Sequence, residues 1–317
     1  MISGCGAAAK PSRAAGSLDR FDYALPALGT GFHVTFFAAG AEAATSGSDA
    51  VASRLADLES KLAPDRADSE LGRLCAGAGG PPRKVSDDLF AVLELAQRIS
   101  KMSDGAFDVT AAPYVSLWKR AREAGTEPTE EQLAVVRPLV GWKKLRLDPI
   151  ERTAALEAAG MRLHPGALAL GYATDRVLDE LKSKGVERAF IETEQGDFGR
   201  IRRFGAAPPG QTGWGLLIST GDGSRRLPGP VPTVANCAIA SSTAGRLLDP
   251  LTGKLAAGRP VAVVVARSGA AAGGLATAAA VLGPERGEAM ARSAGAAIRF
   301  EAPSKPSPSA KKLARRR

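Results

Sequence analysis

The sequence predicts an α+β protein, a mixed β-sheet covered by helices. Three observations carry that prediction. Residues 31–38 (G-F-H-V-T-F-F-A) alternate, with Phe32, Val34 and Phe36 on one face, the period of a half-buried strand. Two stretches carry apolar residues at helical spacing: Val51, Leu55, Leu58 and Leu62, then Leu89, Val92, Leu93, Ala96 and Ile99. Strand-like and helix-like segments then follow one another along 317 residues, with many short strands. The length suits one large domain or two small ones. The expected division is a disordered leader at 1–22, one folded domain at 23–302 and a basic tail at 303–317.

Taken in order, residues 1–20 are rich in Gly, Ala and Ser and predict no regular structure. His33 lies on the polar face of the 31–38 strand, where a surface or packed histidine is the simplest reading. A helix from Ser48 stops at Pro64. D-S-E-L at 68–71 opens a turn. Ser86 followed by Asp87 and Asp88 starts the next helix, because a hydroxyl cap and acids suit its positive end. That helix runs into S-D-G-A-F-D-V-T at 103–110, where Gly105 supplies backbone freedom. On the residues alone, Phe107 reads equally as core and Asp108 as a helix cap.

A polar helical stretch at 128–136 precedes short strands at 145–147, 154–157 and 161–164. Residues 166–175 form a small-residue loop opening a helix at 175–184, an arrangement that presents backbone N–H groups to phosphates. Strands follow at 187–193, 214–219, 237–240 and 261–266, with a Gly/Pro/Arg loop at 200–212 and a small-residue helix at 270–282.

Net charge is +9, but the tail holds Lys305, Lys311, Lys312, Arg315, Arg316 and Arg317 and no acid, leaving +3 for the rest. The body therefore carries no strong field for nucleic acid, and none is expected as a partner. The Pro/Ser-rich tail reads as a solvated, disordered segment. No apolar run approaches the length of about 20 residues that spans a membrane. The cysteines are Cys5, Cys75 and Cys237, and their spacing matches neither a metal motif nor a disulfide framework. Cys237, in an apolar run, reads as an inert core residue. Ile2-Ser3-Gly4-Cys5 looks like the end of a lipobox, although the charged and apolar segments that precede such a box are missing. Anchoring through Cys5 as a periplasmic or membrane-bound lipoprotein is expected if the start lies upstream; otherwise the protein is expected in the cytoplasm.

The organising stretch is A-N-C-A-I-A-S-S-T-A-G-R-L-L-D-P-L-T-G at 235–253. An apolar strand end opens into Ser241, Ser242 and Thr243, and a tight turn follows at Asp249, Pro250, Thr252 and Gly253. It resembles the A-T-S-G…H-I-I-D-P-x-T-G signature of the FAD:protein FMN transferases, the ApbE-type flavin transferases. Further pieces fall in that family's order: L-G-T at 28–30, D-S-E-L-G-R-L at 68–74, S-D-G-A-F-D-V-T-A-A-P-Y-V-S-L-W at 103–118, G-A-L-A-L-G-Y-A-T-D at 166–175, Q-G-D-F at 195–198 and G-G-L-A-T-A-A-A-V-L-G at 273–283. The resemblance covers roughly residues 25–300, and the 105–118 block is its most specific part.

The resemblance implies a reaction that moves FMN from FAD onto a Thr or Ser of a partner protein and releases AMP. FAD is the implied cofactor, Mg²⁺ the implied metal and a flavin-accepting protein the implied partner. It places Gly29, Thr30, Gly105, Phe107, Asp108, Gly171, Asp175, Gly196, Asp197, Ser241, Ser242 and Asp249 at the flavin. Ala169 and Thr277 fall on the family's carbonyl and hydroxyl metal ligands. Several chemistry-bearing positions depart from the pattern. The Asp of A-D-A-x-A-T is Gly273, and a hydroxyl plus a carbonyl is a poor magnesium site. The Lys of A-K-G is Leu170, the Asn after S-E-L-x-x-L is Cys75, and no His precedes the D-P turn. These losses imply impaired activity with no catalytic residue assigned. The alternatives are a non-catalytic FAD-binding protein of the same fold and an interaction scaffold that binds no flavin.

Overall fold

The computed structural model describes residues 17–194, 196, 199–215, 233–242, 247–256 and 258–301. Cys5, Gln195, Asp197, Phe198, Thr243, Arg246 and the tail at 303–317 lie outside the described residues.

The chain opens as a hairpin, β1 (Asp19–Ala27) and β2 (Thr30–Ala38). Its two-residue turn, Leu28 and Gly29, has φ of 51° and 75°, the left-handed pair that matches strand twist. The first strand therefore begins at Asp19, inside the 1–22 stretch expected to lack regular structure. Phe32, Val34 and Phe36 are buried as the alternation predicts, and His33 is exposed, 3.5 Å from Glu194. Helix α1 (Ala41–Leu62) starts well before Ser48, because its first buried positions are the small residues Ala44 and Gly47. D-S-E-L opens with the expected turn at Asp68, but helix α2 (Glu70–Ala76) starts within it, capped by Ser69, whose Oγ accepts from the Gly72 N–H at 2.9 Å.

A short strand β3 (Arg83–Lys84) leads to α3 (Asp87–Met102), which Ser86 caps as expected and which buries the whole predicted stripe. Helices α4 (Ala112–Glu123) and α5 (Glu130–Val136) follow, the latter closed by a Thr129–Gln132 capping box. Strand β5 (Thr153–Leu156) lies between β3 and β4 (Leu145–Asp148) and pairs with both in a small sheet. Residues 161–164 are not the expected strand; the His164 N–H instead donates to the Val109 carbonyl at 2.7 Å.

The loop expected at 166–175 is the first half of a helix, α6 (Gly166–Ser183). Its Ala- and Leu-rich composition outweighs the two glycines. After β6 (Ala189–Thr193), the expected Gly/Pro/Arg loop begins as strand β7 (Arg200–Phe204), burying Ile201 and Phe204. Its arginines are anchored, Arg202 on Glu192 and Arg203 on Asp175. Strands β8 (Trp214–Gly215) and β9 (Thr233–Val234) pair with each other. The chain closes with β10 (Ala238–Ser241), β11 (Val261–Ala266), α7 (Gly269–Leu282), α8 (Pro284–Ser293) and β12 (Ala297–Glu301).

The α+β expectation holds, with one refinement. The main sheet runs β1-β2-β6-β7-β10-β11-β12, and each of its pairings is antiparallel rather than mixed. Helices α1, α6, α7 and α8 pack on the sheet, and α3 lies against α1, α6 and α7. Phe204, Trp214 and Ile239 form a second apolar cluster with Phe37, Phe190 and Cys237. Cys237 is therefore half-buried beside aromatic rings rather than in the main core, and burial pushes its thiol up. Among the described residues no helix is long and apolar enough to cross a membrane.

Candidate active site

Helices α6 and α7 cross at close range, and glycines allow it. A Cβ on Gly171 would sit 2.0 Å from the Gly269 carbonyl oxygen, and one on Gly273 would sit 2.3 Å from that of Ala167. No real side chain tolerates such contacts, so both glycines are spent on packing. Asp175 secures the same crossing. Its carboxylate accepts from the Gly269 and Ala270 N–H groups at 2.8 and 3.0 Å, at the start of α7, and from Arg203 Nε at 2.7 Å. Burial raises its pKa against those bonds. Gly171 and Asp175, expected at the flavin, are thus engaged by the protein itself.

Beside the crossing lies a cavity of about 120 Å³. Sites that enclose a drug-sized ligand run to about 300–1,000 Å³, so this volume takes one part of a large ligand. Five segments build it: Ala106, Phe107 and Asp108; Trp118 and Arg122 of α4; His164 to Ala167 at the start of α6; Leu247, Leu248 and Pro250; and Thr277 of α7. The walls are mainly apolar, with a few polar groups facing inward, the general form of a small-molecule site.

Each segment is held by identifiable bonds. The 103–108 loop turns through Asp104 and Gly105, with φ of 50° and 85°, and Ser103 Oγ accepts from the Phe107 N–H at 3.1 Å. Asp108 then caps the short turn at Val109–Ala111. Its Oδ1 accepts from the Thr110 N–H and hydroxyl, both at 2.7 Å, and the carboxylate also accepts from the Trp142 backbone. Burial raises the Asp108 pKa against these bonds. Asp108 is therefore the cap read from the sequence and also a residue of the cavity wall.

The D-P-L-T-G turn is closed by Asp249, whose oxygens accept from the Leu251 N–H at 2.9 Å and the Thr252 hydroxyl at 3.0 Å. Gly253, at φ 73°, lies against the Tyr114 ring, where a Cβ would come within 2.6 Å, and its carbonyl accepts from Trp118 Nε1 at 2.8 Å. These contacts dock the turn on α4, so that Leu248 and Pro250 reach the cavity while Asp249 serves the turn.

Of the residues expected at the flavin, Phe107 and Asp108 line this cavity, joined by Thr277, which was expected at the metal. Gly105 lines an adjoining groove with Trp142 and Pro250. Gly29 and Thr30 belong to the first hairpin turn, and Gly196 bridges Gly199. Ser241 lies in β10, and Ser242 pairs with Ala262 through both its backbone N–H and its Oγ. Asp197 is outside the described residues.

The magnesium expectation can be tested on this geometry. Position 273 has no room for a carboxylate. The Thr277 hydroxyl donates to the Gly273 carbonyl at 3.0 Å, and Ala169 is buried inside α6. No group of three or more His, Cys, Asp or Glu among the described residues could hold a metal ion. Magnesium takes oxygen ligands in near-octahedral order with at least one carboxylate, and this donor set does not fit it. Leu170, at the lysine position, is buried.

Sequence reasoning missed three polar wall residues: Trp118, Arg122 and His164. The last two could not be found by local pattern, because α4 and the segment before α6 are distant in sequence from the D-P turn. His164 is largely buried in the cavity wall, and that burial lowers its pKa, opposed by Asp65.

Comparison with known proteins adds the following. The sequence model of the ApbE family matches residues 28–300. A Vibrio cholerae protein named FAD:protein FMN transferase is 30% identical over 252 residues, 75% of this chain and 73% of that protein. The structure of the flavin transferase ApbE from Vibrio cholerae superposes with a TM-score of 0.77 at 25% identity, covering 89% of this chain and 93% of that one. The apo flavinyl transferase ApbE of Pseudomonas stutzeri also gives 0.77, at 26% identity, over 92% and 94% of the two chains.

Proposed function

Because the chain belongs to the ApbE family, we propose that it binds FAD with part of the flavin nucleotide in this cavity. From there it transfers FMN to a Ser or Thr hydroxyl of a partner protein, slowly and without a protein-held magnesium ion. The observation that carries the reading is the convergence of Phe107, Asp108, Thr277 and the D-P turn on one cavity whose carboxylate position, Gly273, is closed by helix packing.

The roles follow from the residues. Phe107, Trp118, Leu247 and Leu248 offer the apolar walls that suit a flat ring system. Arg122 is the cation among the described wall residues, and a guanidinium pairs well with phosphate oxygens. It supplies charge where Leu170 and Gly273 do not. The neighbouring backbone is fixed by Asp108, Asp175 and Trp118, so a bound ligand meets a rigid frame, which favours a positioned in-line attack. Without a metal ion to neutralise charge on the pyrophosphate, such a step is slowed.

The test is AMP release from FAD by the purified chain, with and without the protein acceptor of the Vibrio cholerae relative, in magnesium and in EDTA. Slow release that EDTA leaves unchanged supports the proposal. Fast, EDTA-sensitive release overturns it and directs attention to Asp197 or Asp249 as a substitute ligand. The closed position at Gly273 also favours a second reading, an FAD-binding protein without turnover. Retained FAD with no AMP would establish that one instead.

A further inference from the structure

Among the described residues, three ionisable side chains line the cavity: Asp108, Arg122 and His164. A hydroxyl that attacks phosphorus must give up its proton, and the three differ in fitness to take it. Arg122 stays protonated at any working pH. Asp108 already accepts from the Thr110 N–H, the Thr110 hydroxyl and the Trp142 backbone, and moving it would undo the turn it caps. His164 carries an imidazole, the group whose ordinary pKa sits near neutrality.

Its placement is fixed by the fold. The His164 N–H donates to the Val109 carbonyl at 2.7 Å, one residue beyond Asp108, and Pro165 and Gly166 follow directly at the head of α6. His164 thus lies at the junction of the 106–109 segment and α6 and lines the cavity together with Thr277 of α7. Among the described residues, the charged groups acting here are Asp108 and Arg122 of the wall and, from the segment after α1, Asp65, whose charge reaches His164. Burial disfavours the imidazolium more than Asp65 favours it, which lowers the ring's pKa and favours the neutral form that can accept a proton.

We propose that His164 accepts the proton of the hydroxyl that attacks FAD in this cavity, making it a catalytic residue that the D-P stretch does not supply. The attacking oxygen forms a bond to the phosphorus on the FMN side. The bridging P–O bond breaks, with its electron pair leaving on AMP. The hydroxyl proton moves to His164 and then to solvent. No other reactant is needed, and water can take the place of the protein hydroxyl.

The proposal rests on the transferase reading, and the experiment separates the two. The full chain, His164→Gln and His164→Asn are compared for AMP release from FAD in water from pH 5 to 9, and for FAD affinity by flavin fluorescence. Circular dichroism checks folding. The full chain should show a plateau with an acid limb below the ordinary histidine pKa, because only the neutral ring accepts a proton. The variants should bind FAD within about twofold of the full chain, lose AMP release by about 10²-fold or more and lose the acid limb. For a His164→Ala chain, added imidazole should restore part of the rate. A variant rate within threefold of the parent, an unchanged acid limb, or FAD binding lost in step with turnover would overturn the role of His164 alone. No AMP from the unsubstituted chain would overturn the transferase reading, and the proton role with it.

Discussion

Helix α6 meets two neighbours in opposite ways. On one side, Tyr172 reaches a charge cluster in which Asp88 of α3 is surrounded by donors. Arg54 grips it at 2.6 and 3.0 Å, Lys61 at 2.8 Å and the Tyr172 hydroxyl at 2.8 Å. On the other side, Gly171 and Ala167 press against α7 so closely that position 273 admits no side chain. One face keeps a buried carboxylate because every oxygen is answered. The other excludes a carboxylate because the backbones fill its space. A carboxylate inside this protein thus persists where partners are built around it, as at Asp88, Asp175 and Asp108, and this bears directly on the metal.

The contrast can be broken at its strongest point first. Gly273→Asp puts a side chain and a charge into the helix crossing. It should cost about 3 kcal/mol or more in urea unfolding and should not create EDTA-sensitive AMP release. A fully stable variant that gains magnesium dependence would refute the close-packing account.

Asp88→Asn comes next. Removing one partner from a buried, multiply bonded ion group leaves Arg54 and Lys61 uncompensated, for a loss of about 3 kcal/mol. Burial alone would raise the Asp88 carboxyl, but Arg54, Lys61 and Tyr172 overcome it and hold it well below the usual carboxylate range. A depressed folded pKa contributes stability above the unfolded value of about 3.9, and that contribution is lost as pH falls below it. Stability measured from pH 6 down to pH 2 should therefore fall less steeply in the variant than in the parent.

Ser86→Ala removes a cap whose Oγ also donates to Glu70 at 2.6 Å, and should cost about 1 kcal/mol by the same unfolding assay. The smallest effect sharpens the site rather than the scaffold. Trp118→Phe frees the Gly253 carbonyl and loosens the D-P turn at the cavity. FAD affinity, read by fluorescence, should fall about fivefold, with thermal stability nearly unchanged.

The legible parts of this molecule were those with local causes. Period-two alternation located β2, the Ser86 cap located α3, and the order of short motifs located the family. Small residues hid the rest. Ala44 and Gly47 concealed the first half of α1, and the Gly/Ala run at 166–175 passed for a loop when it is a helix packed on another helix. Arginines concealed β7, because their charges are neutralised by Glu192 and Asp175, which only the sheet brings near. The site was half legible for the same reason. Phe107, Asp108 and Thr277 sit in motifs, whereas Arg122 and His164 arrive through tertiary packing, which no local pattern announces.

The atom that closes position 273 is the carbonyl oxygen of residue 167, and every amino acid carries one. Trimming a neighbouring side chain therefore cannot reopen the space. Restoring an acid there requires α6 and α7 to move apart, and Gly171 against Gly269 and Asp175 against the start of α7 hold them together. The crossing acts as a ratchet on the sequence: no single substitution at position 273 recovers an acidic ligand while these contacts stay as they are.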